Sequence, residues 1–550
     1  MNRLKPDIYI KDEVAAALKK AFDVEPDIVI ERPRQEAFGD FATTVALGLA
    51  KVLKMAPRKI AEALVENIAD ADQLIEKMSI DGPGYINFTL SNHYWQSVLR
   101  GIIEAGPAFG EDTNGQNEKR QIEFVSANPT GPLNVVSARA AAVGDVLVSL
   151  LQKIGFAAER EFYINDAGRQ VRLLGASVSA RYMALFDRNE AMPEDGYQGD
   201  YIIELAQEIK DAHGDQFVAL SHEQRVEQLK GIALATMIGK QKKAMQDYHV
   251  NYERWFHESE LRDQNMHMEA LERLHKKDLV YEKDGATWFN SSAFGDEKDR
   301  VLITSDGEPT YFLVDISYHE NKFDRGFKWL LDLWGPDHHG YIPRMSAAMQ
   351  ALGHPEGSFQ VKIIQQVNML RAGEVLKMSK RAGNIIEMAE VVNEVGVDAA
   401  RFFFIMRRLD SPLDFDIDLA KKQTDENPVY YVQYAQARLY NILEFARTQN
   451  IALDHSQDIA MLTAKEEIAL IKKLGEYPDV LQKAALLLEP HRITTYLMEL
   501  ASTFHSFYQN NRVVSDDKAL SQARLILVDG TRVVIKNALD LLKISAPERM

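Results

Sequence analysis

The 550-residue sequence contains no cysteine, which excludes disulfides and thiolate zinc sites. It has no uninterrupted apolar run long enough to cross a bilayer, and no apolar stretch follows MNRLKPDIY. It also lacks a basic excess, with 64 Lys and Arg against 81 Asp and Glu and a formal net charge of −17. Nonspecific nucleic-acid affinity comes mainly from phosphate neutralisation, so indiscriminate binding is not expected, while a partner held on local basic patches stays open. These absences fit a cytoplasmic protein with no membrane partner.

What is present is ordinary for a soluble chain of this length: 46% apolar and 26% charged residues. Such a chain holds two to four domains and buries a large core. The most organised stretch runs from Gln121 to Ile154, QIEFVSANPTGPLNVVSARAAAVGDVLVSLLQKI. Gln121 to Ser126 alternate as a strand does, Ala127 to Pro132 carry turn formers, and apolar residues then fall at Val136, Ala140, Val143, Leu147, Leu150 and Ile154. That spacing buries one face of a helix. A tight loop from a buried strand into a helix N-terminus suits a phosphate, although many structural units share the outline.

Residues 1–112 read as a small α/β domain, with helices from ATTVALGLAKVL and from Pro57, then a strand in MSIDGPGYINFTL entered through Gly-Pro-Gly. The polar, Gly- and Asn-rich stretch ending at Arg120 marks a boundary. Residues 113–415 alternate strands and helices, which implies a mostly parallel sheet with ligands at its C-terminal edge. A helical insertion is expected at about 178–264, and strand-like pieces return at DGATWFN, RVLITSDG and PTYFLVDISYH. Asn165, Asp166 and Gly168 read as a capped turn. From 416 to 550 only helices are expected, forming a bundle whose aromatic residues are core by composition, although Tyr and Arg near a helix end could stack on unpaired bases. Within GEVLKMSKRAGN, Lys377, Lys380 and Arg381 lie on a short Gly-containing loop that could close over a triphosphate; a solvated basic turn is the commoner meaning of such a cluster.

EFVSANPTGPL before a helix, followed later by KMSKRAGN, resembles a class I aminoacyl-tRNA synthetase, and specifically the arginyl-tRNA synthetases. The likeness runs through FGDFAT, GPGYINF, YINDAGRQ, YFLVDISYH, WGPDHHGYIPR, DAARFFFIMR, NPVYYVQYAQAR and the final PERM. It implies a Rossmann-like catalytic domain, an N-terminal α/β domain that contacts the tRNA elbow, and a C-terminal all-α domain that reads the anticodon. It implies activation of arginine with ATP to arginyl-adenylate, then transfer to tRNA(Arg), with Mg2+ accompanying ATP and the protein acting as a monomer.

The resemblance assigns the guanidinium of arginine to Glu123, Tyr311 and Asp315, and the amino and carboxylate end to Ser126 and Asn128, with Asp337 in the same pocket. Paired carboxylates suit a planar, permanently charged group. Tyr311 and Asp315 are four apart, so a mixed strand-to-helix turn is expected to bring both inward. No metal site is expected at Asp337, His338 and His339, because a third ligand is missing at suitable spacing. Lys377 and Lys380 match the catalytic loop that supports pyrophosphate. Contacts to tRNA are expected at Tyr85, Asn87, Tyr430, Tyr508 and Arg512.

One departure stands out. After Pro132 and Leu133 the family carries His, a variable residue, Gly and His, whereas this chain has Asn134, Val135, Val136 and Ser137. Pro132, Asn134, Val136 and Ser137 therefore occupy the ATP-binding positions, with Asn134 and Ser137 in the catalytic ones. Neutral donors replace groups able to carry charge, a loss worth about 2–4 kcal/mol of transition-state stabilisation, and Val136 fills space the glycine leaves for the base. Impaired adenylation is expected. The alternative is a catalytically silent relative that binds tRNA or arginine.

Overall fold

The computed structural model describes residues 6–33, 35–376 and 386–550. The first region begins with α1 (Pro6–Phe22), β1 (Ile30–Glu31), β2 (Phe41–Thr43), α2 (Val45–Leu53) and α3 (Pro57–Asn67). It ends with β3 (Ile75–Asp81), β4 (Tyr85–Leu90) and α4 (Asn92–Ala105), and its strands form an antiparallel sheet in the order β1-β2-β4-β3. The expected single strand around Gly-Pro-Gly is a hairpin, because Gly82 and Gly84 adopt positive φ and let β3 return as β4.

The central region holds β5 (Lys119–Glu123), α5 (Val135–Lys153), β6 (Ala157–Ile164), α6 (Arg169–Ala184), α7 (Asp200–His213), α8 (His222–Asp247) and β7 (Arg254–His257). After α9 (Glu258–Asp263) and α10 (Met266–His275), β8 (Val280–Lys283), β9 (Ala286–Phe289) and β10 (Arg300–Ile303) make a separate antiparallel sheet. Then come α11 (Tyr311–Asp324), β11 (Trp329–Trp334), α12 (Ile342–Leu352) and β12 (Phe359–Ile363). Five strands lie parallel in the order β12-β11-β5-β6-β7. The chain leaves β5 toward β6 and β7 and later returns to its other side as β11, so the strand order reverses between β5 and β11, where open α/β sheets hold their ligands.

Two expectations need correcting. The helical insertion ends with α8, because β7, inside the expected range, is an edge strand of the central sheet. PTYFLVDISYH is not a strand: Tyr311 onward forms α11, capped by Thr310 Oγ1, which accepts the Leu313 N–H at 3.4 Å. Phe312, Leu313, Val314, Ile316, Ser317 and Tyr318 are all buried, so the segment is apolar around most of its circumference and its strand-like composition carries no helical period.

α5 is the one described helix long and apolar enough to cross a membrane, but 83% of that window is buried inside the protein. Gly144 allows the close approach of β5, since a Cβ there would lie 2.3 Å from the Phe124 ring.

The chain continues through β13 (Val367–Arg371), β14 (Glu374–Val375), α13 (Met388–Val395), α14 (Val397–Ile405), β15 (Leu413–Asp416) and α15 (Ile417–Lys421). It ends in α16 (Pro428–Thr448), α17 (Lys465–Gly475), α18 (Tyr477–Leu486), α19 (His491–Asn510) and α20 (Lys518–Leu541). One apolar cluster runs through all three regions, from Ile10 through Val146 and Phe404 to Ile544. A buried ionic knot joins the central region to the helical one as well. Arg401, fully buried in α14, donates to Asp145 Oδ2 of α5 at 2.6 Å, to the Tyr248 carbonyl at 3.0 Å and to the Leu542 carbonyl at 2.8 Å. Arg160 donates to the other Asp145 oxygen at 2.6 Å.

Candidate active site

At the end of β5, Val125 and Ser126 both take positive φ, at 71° and 41°. For a β-branched residue this is a strained conformation, and strain of this kind collects at functional sites. The bend lets Ser126 Oγ donate back to Glu123 Oε1 at 2.7 Å while accepting the Tyr163 N–H at 3.1 Å.

Glu123 pairs in register with Asp332 of β11, so two carboxylates meet at the strand-order reversal. Between them lies Lys322 of α11, which is fully buried and donates to Glu123 Oε2 at 2.6 Å and to Asp332 Oδ1 at 3.1 Å. Burial opposes the Lys322 charge, but Asp332 and Glu123 outweigh it and raise the pKa. His319 places Nε2 2.8 Å from Asp332 Oδ2. Burial alone would raise the Asp332 carboxyl; Lys322 and His319 reverse this and hold it at about 2. Glu123, His319 and Asp332 are close enough to suggest a metal, but the Lys322 ammonium already bonds both carboxylates, so the set does not fit a further cation.

The environment one turn earlier on α11 is different. Among the described residues, the side-chain partner of Asp315 is the Tyr341 hydroxyl, which donates to Oδ2 at 2.5 Å. Burial first, and then the negative charges of Glu123 and Glu258, raise the Asp315 carboxyl to about 6 against the opposing pull of Tyr341 and His319. Glu258, at the start of α9, is buried and accepts two hydrogen bonds from Arg262, at 2.7 and 3.1 Å. Tyr163 is raised by burial and by Glu258 and Asp315. The result is a pocket rich in carboxylates in which Asp315 lacks a cationic partner among the described residues, an arrangement that a guanidinium completes.

The expected positions distribute unevenly around this pocket. Tyr311 and Asp315 both lie on α11, and four-residue spacing on a helix puts them on one face, so the mixed turn is not needed. Tyr311 is 68% exposed, with its hydroxyl 3.8 Å from where a Cβ on Gly168 would sit. Asn128 and Pro132 are exposed on the turn after β5, and Asp337 is exposed on the short 3-10 turn after β11. Glu123 has each oxygen engaged, by Ser126 and by Lys322, which leaves it poorly placed for paired guanidinium bonds. Glu258, Tyr341, Tyr163 and Lys322 escaped the sequence reading. Glu258 and Lys322 carry no sequence signal, because burial of a charge depends on contacts distant in the chain.

The altered signature forms a helix cap. Asn134 is the N-cap of α5, and its Oδ1 accepts the Ser137 N–H at 3.0 Å and the Ser137 hydroxyl at 3.3 Å. Val136 is half-buried against the main core. The Val135 N–H donates to the Ile386 carbonyl at 3.2 Å, and the Met388 N–H to the Leu133 carbonyl at 2.8 Å, which ties this corner to the chain after residue 385. Lys377 and Lys380 lie outside the described residues.

Of the expected tRNA contacts, Asn87 is buried, and its amide donates to Asp81 Oδ2 at 2.5 Å within the hairpin, so it offers no free surface group. Tyr85 is 43% exposed. Tyr508 and Arg512 line a groove of about 570 Å3 together with Tyr434, Arg438, Asn441 and Phe445. Arg438 lies 4.6 Å above the Tyr434 ring and 5.4 Å from that of Tyr508, while Tyr430 stacks on Tyr434 just beside the groove. Phe504 and Phe507 are core.

Three family models match the chain: "Arginyl tRNA synthetase N terminal domain" over residues 9–90, "tRNA synthetases class I (R), catalytic domain" over 105–403, and "DALR anticodon binding domain" over 432–550. The chain is 47% identical over 547 residues to the arginine–tRNA ligase of Geobacillus kaustophilus, with 98% of each chain covered. It is 45% identical to arginine–tRNA ligase 1 of Halalkalibacterium halodurans, with both chains covered completely. The Thermus thermophilus arginyl-tRNA synthetase structure superposes with a TM-score of 0.77 at 21% identity, covering 99% of this chain and 100% of that one, a likeness of fold.

Proposed function

This chain belongs to the arginyl-tRNA synthetase family and is an aminoacyl-tRNA ligase, an arginine–tRNA ligase, and we propose that its site joins an intact arginine half to a weakened nucleotide half. The observation that carries the reading is Asp315, half-buried beside Glu258 and Glu123 and bonded only to a phenol among the described residues. Asp315 and Glu258 take the guanidinium, with Tyr311 closing over it and Asp337 at the rim. Ser126 and Asn128 hold the amino and carboxylate end. Glu123, fixed by Lys322, keeps the Ser126 hydroxyl oriented.

A carboxylate oxygen of arginine attacks the α-phosphorus of ATP and pyrophosphate leaves; a ribose hydroxyl of the terminal adenosine of tRNA(Arg) then takes the arginyl group and AMP leaves. Negative charge builds on the phosphates in the first step, where the family's histidines would meet it. Asn134 and Ser137 bond each other instead, so part of their hydrogen-bonding capacity is spent on capping α5. Pro132 and Val136 border the nucleotide, and Lys377 and Lys380 carry what positive charge the pyrophosphate receives. Mg2+, arriving with ATP, would supply charge neutralisation to the phosphates; Glu123, His319 and Asp332, with Lys322 already bonded to both carboxylates, would not hold it.

Residues 1–112 and 416–550 are assigned to tRNA through Tyr85 on the N-terminal sheet and Tyr430, Tyr508 and Arg512 at the aromatic groove. The protein works as a monomer in the cytoplasm. The test is arginine-dependent exchange of pyrophosphate into ATP with tRNA present. Exchange that depends on arginine supports the ligase; tRNA binding without any exchange supports the silent relative.

A further inference from the structure

The turn that carries Asn128 is held from outside the central sheet. Gln241 of α8 is 2% exposed, and its Nε2 donates to the carbonyl of Asn128 at 3.1 Å and to that of Gly131 at 3.0 Å, spanning both ends of the turn. Tyr201 of α7 donates its hydroxyl to the Thr130 carbonyl at 3.0 Å. A Cβ on Gly131 would lie 3.3 Å from the Tyr201 oxygen, so the ring presses directly on the turn. Three carbonyls within four residues are therefore fixed by donors of the helical insertion. The insertion has its own apolar core, built from Val178, Ile202, Leu205, Leu229 and Met237 and separate from the main cluster.

The turn is anchored at its ends by Ala127 and Leu133 against the main core and exposes Asn128 and Pro132, and a buried amide bonded to two of its carbonyls fixes it in two further directions. We infer that Gln241, assisted by Tyr201, is a positioning residue for arginine and ATP: the insertion sets the Asn128–Gly131 turn, and through it the placement of Asn128 and of the Pro132–Asn134 corner. This rests on the assignment of that turn to the substrate site above.

The test uses the full-length chain with Gln241→Glu, which keeps the shape but turns an acceptor toward the two carbonyls, and with Tyr201→Phe, which removes one hydroxyl and leaves the ring. Equilibrium dialysis against labelled arginine and against ATP reads the site without requiring turnover, filter binding reads tRNA affinity, and thermal melting reports folding. Expected is arginine affinity about tenfold weaker for Gln241→Glu and about threefold weaker for Tyr201→Phe, with ATP weakened in the same order and tRNA affinity unchanged. Arginine and ATP affinity unchanged in both folded variants overturns the inference while the assigned site stands. Loss of tRNA affinity in step with arginine affinity also overturns it, since that marks general unfolding. An unaltered chain that binds neither arginine nor ATP removes the site assignment itself, and the inference with it.

Discussion

Restoring the family signature sets two energies against each other in one triple variant, Asn134→His, Val136→Gly and Ser137→His. In the present chain Asn134 Oδ1 accepts both the N–H and the hydroxyl of Ser137. Removing such an N-cap costs about 1 kcal/mol of stability. Glycine in place of Val136 costs roughly another 0.3–0.5 kcal/mol of helix propensity in the first turn of α5, and it gives up the packing of a half-buried side chain. Against this loss, one charged donor aimed at the developing phosphate charge contributes about 2–4 kcal/mol, roughly 30- to 1,000-fold in rate, and a second adds less than its own share. The variant is therefore expected to melt a few degrees lower and to exchange pyrophosphate at least about thirtyfold faster than the unmodified chain at saturating arginine and tRNA. A folded variant that exchanges no faster would refute the claim that Asn134, Val136 and Ser137 limit the chemistry.

Three further outcomes follow from the same geometry. Asp315→Asn removes the carboxylate that lacks a cationic partner among the described residues, so arginine binding should weaken about 10- to 100-fold while thermal stability holds or rises; calorimetry that finds arginine affinity intact rejects the pocket. Burial and the neighbouring carboxylates hold Asp315 at about 6, above its unfolded value, so its ionised form destabilises the fold as pH rises through that range, whereas arginine favours the ionised form. Arginine affinity should accordingly climb between about pH 5 and 7 with proton release on binding, and a flat profile in buffers of different ionisation enthalpy counts against it. Tyr508→Ala should weaken tRNA binding several-fold and leave arginine binding unchanged in dialysis; equal loss of both would place the groove outside tRNA recognition.

Some of this molecule can be read directly in the chain. The three- and four-residue spacing after Pro132 announces α5 as a helix, but the one buried face it implies is too little: Ala138 through Val148 are buried without a break, so the helix is enclosed on all sides. The alternating region before residue 415 announces parallel strands. α11 was harder: its core-facing residues surround the helix, so its aromatic and β-branched run reads as strand until Thr310 is seen capping it. β7 hid among insertion helices because a four-residue edge strand carries almost no period. The proposed arginine pocket is half legible. Glu123, Ser126 and Asp315 sit in recognisable motifs, but the partners that decide what each carboxylate can do, Lys322 for Glu123 and Tyr341 for Asp315, come from elements 26 to 199 residues away. Asn87 misled for a related reason: a polar residue in an exposed-looking hairpin found its partner inside the hairpin.

Arg401 bears on how far this protein can be taken apart. Its guanidinium touches the helix that begins at the altered signature, the chain that precedes β7, and the carbonyl just past the final long helix. A fragment ending before the helical bundle would strip Arg401 of one partner and lay bare the apolar surface shared across the three regions. The anticodon-side helices are then less a detachable recognition module than a structural wall of the catalytic unit, and lesions in α20 would be felt first as loss of soluble enzyme.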